Sequence, residues 1–204
     1  MRNYVVVLLV LSAFVAGIIG GCAGTKPPAE GEKQQLTGFD RPKWIDNPSK
    51  EDTKEAKAFV GVSRQYAMEQ QARNDARINA YIQAIDNMGV YGKRKIDQVI
   101  SEVGLSADII NPGVVQDEMT RLKAEGVAVG DVKEWHVEKW QMYMGGEWKT
   151  YYAVFCQFLM PREAVKKFME DVLKKQAQAA EAERDRQNLN RALEKMKELE
   201  ASDW

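Results

Sequence analysis

The sequence predicts an α+β domain, a small antiparallel three-stranded sheet packed by helices in the order β-α-α-β-β-α, with a long C-terminal helix. Three observations lead there. Two apolar-rich runs, about residues 127–143 and 148–160, flank Met144-Gly145-Gly146-Glu147, a strong hairpin signal. A short apolar strand is followed by Ala72, Ala76 and Ala80 at helical spacing. After Pro161, about forty residues pass without a helix breaker. The composition agrees with a globular chain: of 204 residues, 45% are hydrophobic and 29% charged. With 29 Lys+Arg against 30 Asp+Glu, no basic excess points to nucleic acid, and none is expected as a partner.

The N-terminus reads as an address rather than as fold. Arg2 gives a short positive region, and Tyr4 to Ile19 is apolar. Small residues close the run, which is short for a membrane span and carries no positive stop after it. The closing Ile19-Gly20-Gly21-Cys22 resembles a bacterial lipobox, an aliphatic residue and two small residues before Cys. That pattern implies a signal peptide over 1–21, diacylglyceryl and acyl chains (palmitate in type) on Cys22, and attachment to a membrane through them. Several chains give durable anchoring without a spanning helix. The other reading is an uncleaved anchor helix in which Cys22 is incidental; Gly20 and Gly21 would weaken such a helix at its end. Ala23 is not the Asp that commonly retains lipoproteins at the inner membrane, so the outer membrane is expected, on its periplasmic or its exposed face.

Residues 22–39, rich in Lys, Glu, Gln, Gly and Pro, read as a flexible tether. Arg41-Pro42-Lys43-Trp44 opens an α+β domain expected over 40–165, where the prolines fix the backbone and Trp44 offers an apolar anchor. The first strand is expected over Ala56–Arg64, with Phe59, Gly61 and Ser63 on the face opposite Ala56, Ala58, Val60 and Val62. Gly61 marks a close backbone approach, and the alanine ridge of the next helix is its natural partner. That helix is expected over Ala67–Met88, closed by Gly89, and a second over Tyr91–Gly104. A further helix is expected over Val114–Glu125, after Asn111-Pro112-Gly113.

The last strand is apolar on both faces, with Tyr152, Val154, Cys156, Phe158 and Met160 on one and Tyr151, Ala153, Phe155 and Leu159 on the other. A small antiparallel sheet normally shows water one face. Something must cover the second, either the C-terminal helix or a neighbouring copy. Pro161 then begins a helix. Residues 166–204 are expected as its long extension, with a distal stripe at Leu189, Leu193, Met196 and Leu199 that either forms a coiled coil or frays in solvent. Tyr151, Phe155, Leu159, Leu189, Leu193 and Met196 are therefore the candidate assembly interface, toward a second copy or another envelope protein.

Chemistry is scarce. His136 stands between Glu134 and Glu138 on one strand face, which suits either a raised pKa, a shared metal or simply a surface His. No phosphate loop, nucleophile elbow or HExxH occurs. Once Cys22 is lipidated, Cys156 has no intrachain partner and reads as a small buried apolar residue. Trp135, Tyr143, Trp148, Tyr151 and Tyr152 cluster on the hairpin, for core packing or for stacking a glycan or peptide. No enzyme, cofactor or metal is expected.

Pro42-Lys43-Trp44, Phe59-Val60-Gly61-Val62-Ser63, Ala72-Arg73-Asn74-Asp75-Ala76-Arg77 and the hairpin Trp140…Gly146…Tyr151-Tyr152-Ala153-Val154 resemble the Lpp-twenty-type bacterial lipoproteins. The resemblance covers about residues 40–165. It implies a β-α-β-β core and a non-enzymatic envelope role, with ring-like self-assembly in flagellar members. The expected function is an outer-membrane lipoprotein that scaffolds an envelope assembly, for which the resemblance implies a flagellar association; the alternative is a lipoprotein regulator of a cell-wall synthase.

Overall fold

A computed structural model describes residues 27–104, 110–125, 130–180 and 182–198. The expected signal peptide, Cys22 and Leu199 lie outside the described residues. The fold is α+β, with four antiparallel strands, β1 (Lys33–Thr37), β2 (Ala56–Val62), β3 (Asp131–Met144) and β4 (Glu147–Pro161), in the order β1-β3-β4-β2. Among the described residues, five α-helices accompany them: α1 (Lys43–Asp46), α2 (Glu69–Glu102), α3 (Pro112–Glu125), α4 (Arg162–Ala179) and α5 (Glu183–Glu198).

The β3–β4 hairpin turns through Gly145 (φ 62) and Gly146 (φ 85). Both sit at positive φ, the requirement of a two-residue turn whose twist matches its strands. Its register sets Val154, Cys156, Phe158 and Met160 on the face that receives α2. β2 joins the far side of β4 with Gly61 opposite Cys156 and Phe59 opposite Phe158. As the alternation predicts, Phe59 and Gly61 meet the helix. A Cβ on Gly61 would overlap the Ala76 carbonyl oxygen and come within 2.7 Å of the Ala80 methyl. The alanine ridge therefore rests directly on the strand backbone.

Four expectations change. The sheet has a fourth strand, β1, inside the segment read as a tether: Lys33 faces Met142 and Gln35 faces Trp140. Its sequence, KQQLT, has no apolar alternation, because an edge strand half open to water needs only its backbone groups.

The two helices expected on either side of Gly89 are one, α2, about 51 Å long at the standard rise. Gly89 and Gly92 lie buried within it. Gly89 admits the Met119 side chain of α3, and Gly92 the ring of Phe168 of α4. Each glycine costs the helix about 1 kcal/mol, and the close packing offsets that. Buried residues recur at 72, 76, 80, 84, 88, 92, 96 and 100. A row at this spacing winds round the helix by about 40° per step. The N-terminal half of α2 thus faces the sheet, and its C-terminal half faces the other helices.

The long C-terminal helix is two. Lys166 Nζ donates to the Lys197 carbonyl, 3.1 Å away, so α5 runs back antiparallel along α4. No Gly or Pro forces the break. Turning back hides Leu189, Ala192, Leu193 and Met196 in the chain's own core. Burial is worth roughly 2 kcal/mol for each large side chain, more than the lost helical continuity. The stripe read as a coiled-coil or assembly seam is occupied within the monomer.

The fourth correction concerns the second sheet face. Within the chain, the C-terminal helices pack on the opposite side of the sheet and do not cover it. The segment after β1 crosses it, with Trp44 of α1 buried.

On the helical side, the buried carboxylate of Glu118 bonds Arg121 and reaches Lys175 of α4, which ties α3 to that helix. The Arg121 hydrogen bond holds its pKa below the usual carboxylate range, against burial and with help from Lys175.

Candidate functional site

Two regions carry the candidate residues, the strapped face of the sheet and an open groove on the other side. On the strapped face, Glu134, His136, Glu138 and Trp140 of β3 align with Gln157, Phe155, Ala153 and Tyr151 of β4. Glu138 is 1% exposed. Its carboxylate accepts Arg41 Nε at 2.5 Å, Arg41 Nη2 at 3.1 Å and Trp140 Nε1 at 3.0 Å. The Arg41 guanidinium also lies 4.9 Å above the Phe155 ring. Trp44 Nε1 donates to Glu134 at 3.0 Å. One arginine and one tryptophan thereby strap the segment across the sheet.

This geometry answers the reading of His136. Glu134 turns to Trp44, leaving Glu138 as the carboxylate near the imidazole, with Nε2 3.7 Å from Oε1. The ring is mostly buried, so it is not a surface His. No group of three potential ligands stands ready for a metal among the described residues. Beside it, Gln157 is fully buried, and neither of its side-chain polar atoms has a hydrogen-bond partner among the described residues.

The candidate interface residues separate. Tyr151 stacks on Trp140 with centroids 6.4 Å apart, Phe155 is buried under Arg41, and Leu159 is half-buried opposite Ala58. Leu189, Leu193 and Met196 lie among α2, α4 and α5. The six do not form one patch. Cys156 is buried, and burial pushes its thiol pKa up to about 11.

Sequence reasoning missed the groove between α2 and the start of β3. It encloses about 680 Å³, lined by Ile78, Tyr81, Ile82, Val132, Trp135 and Phe158. Ile78, Ile82 and Trp135 remain exposed, and Arg73 covers the Trp135 ring at 5.1 Å. The sequence signal was Ile78 and Ile82, two apolar residues at i, i+4 off the alanine ridge.

The strap makes a pH prediction. Burial alone would raise the Glu138 pKa, but the hydrogen bonds from Arg41 and Trp140 outweigh it and hold it below the ordinary value. A depressed folded-state pKa contributes stability above the unfolded-state pKa, and that contribution is lost as pH falls through the folded one. Arg41→Ala leaves a buried carboxylate with Trp140 as its remaining donor. Arg41 is half exposed, so the cost at pH 7 is about 1–3 kcal/mol, below that of a fully buried pair. The gap between variant and wild type should narrow as Glu138 protonates. Denaturant titrations at pH 7 and near pH 4 check this; a gap unchanged with pH would disprove the strap's electrostatic role.

No family model, curated protein or solved structure matches the chain.

Proposed function

We propose that this protein is a lipid-anchored lipoprotein of the bacterial outer membrane with a non-enzymatic, scaffolding role in an envelope assembly. The observation that carries the reading is Ile19-Gly20-Gly21-Cys22 closing an apolar run behind Arg2. The scaffolding half draws support from the groove. An open groove lined by exposed apolar side chains is the kind of surface that partners bind. Ile78, Ile82 and Trp135 provide such a surface, rimmed by Arg77, Lys123 and Asp131. The family resemblance makes a flagellar basal structure the first machine to examine.

The test is fractionation followed by sedimentation. Wild-type protein should pellet with membranes and carry acyl mass on the mature N-terminus at Cys22. Cys22→Ser should appear in the soluble fraction. In detergent, the acylated protein should sediment as an assembly larger than one chain. An unmodified mass for residues 1–204 would refute the anchor. A strict monomer at high micromolar concentration would refute scaffolding by self-assembly and favour the synthase regulator.

A further inference from the structure

We propose that the tip of the β3–β4 hairpin docks on the lipid surface and fixes how the domain stands on the membrane. This rests on lipidation at Cys22 and adds an orientation to it. The first observation is where the chain arrives. Gly31 N–H donates to the Tyr143 carbonyl, and Tyr143 N–H donates to the Glu32 carbonyl, each at 2.9 Å. The Glu30 carboxylate accepts the Gly145 N–H in the turn itself, at 3.0 and 3.2 Å. The N-terminal segment is thus tied to the tip. Cys22 and Glu30 are eight residue steps apart, which span at most about 29 Å however the chain is arranged. A coil of that length averages about 16 Å. Acyl chains on Cys22 hold the tip, rather than some other part of the domain, beside the bilayer.

The second observation is what the tip presents. Tyr143 and Trp148 meet edge to face with centroids 5.5 Å apart. Trp148 is 36% and Met144 44% exposed. Large aromatic rings with one polar edge settle at the headgroup level of bilayers. At the tip, β1 and Glu30 already take up the Tyr143 backbone groups and the Gly145 N–H, so their approach to lipid costs no lost water bonds. Lys149 and Glu147 pair at 3.4 Å, at the level where charge meets headgroups. Acidic and basic residues nearly balance here, with Glu30, Glu32 and Glu147 against Lys33 and Lys149. Apolar and aromatic contact therefore drives the docking, and a zwitterionic surface suffices.

The experiment uses acylated full-length protein reconstituted in phosphatidylcholine vesicles, with and without lipid brominated on the upper acyl chain. Trp emission should be quenched by the brominated lipid, to the same extent at low and high salt. Trp148→Phe should remain vesicle-bound through its anchor, keep its circular dichroism and lose most of that quenching. Acylated wild type without quenching would overturn the docking while leaving the anchor in place. Quenching that persists in Trp148→Phe would overturn it too, because the quenched ring would lie elsewhere. A protein whose mass shows no acyl chain would instead remove the anchor, and the docking with it.

Discussion

Gly61→Val is expected to lower stability by about 3 kcal/mol or more, at the upper end of overpacking penalties. In a domain of this size, that amounts to roughly 10 °C in Tm. The new Cβ would collide with the Ala76 carbonyl oxygen, a backbone atom that no rotamer change can move. β2 and α2 would have to part. Parting them would open a core in which Ala72, Ala76, Ala80 and Ala84 are fully buried. Ala80→Gly in the same chain should give little rescue, since it clears a methyl and leaves the carbonyl. Thermal unfolding followed by circular dichroism measures both. A Tm within a degree or two of wild type would show that α2 does not sit on Gly61.

Leu189→Asp should have an effect of similar size, but a local one. Leu189 is 1% exposed between α4 and α5. The change removes its burial and places an unpaired carboxylate there, together on the order of 4 kcal/mol. α5 has little else to hold it, because its outer face is charged and the antiparallel pairing with α4 depends on this seam. Hydrogen exchange should show α5 amides losing protection while the hairpin keeps its own. Released α5 would bare Val172 and Leu173, so the variant should self-associate more than wild type. A variant that dissociated an existing oligomer, with α5 still protected, would restore the coiled-coil reading.

Much of the sheet was legible in the residues themselves. Gly145-Gly146 fixed the turn, the two-residue period fixed the faces of β2 and β4, and the alanine ridge pointed to Gly61. These are local signals, each written within a few residues. What was not legible depends on distant partners. β1 has a polar sequence and becomes a strand only because β3 offers an edge. α2 runs through two glycines because Met119 and Phe168 fill the space beside them. The break between α4 and α5 has no breaker, and only the stripe from Leu189 to Met196, folded back onto the core, requires it. At the strapped face, the shared side of Glu134, His136 and Glu138 could be read. That Trp44 takes Glu134 and Arg41 takes Glu138 could not, since the partners stand 90 and 97 positions apart along the chain. The lipidation proposed at Cys22 rests on sequence pattern alone, since that residue lies outside the described ones.

The sheet also dictates an order of events as the chain is made. β1 and β2 leave first, yet their partners lie about a hundred residues later, with Lys33 opposite Met142 and Val60 opposite Gln157. The hairpin, by contrast, closes on itself through two residues. Closing so long a loop costs chain entropy before any contact rewards it. The N-terminal strands must therefore wait, unpaired, until the hairpin exists as a template. Until then, the alanine face of α2 has no sheet to rest on. Folding of this protein is gated by the arrival of its own C-terminal half, and a chain stalled before residue 161 would leave its N-terminal strands and the alanine face of α2 open to chaperones and proteases.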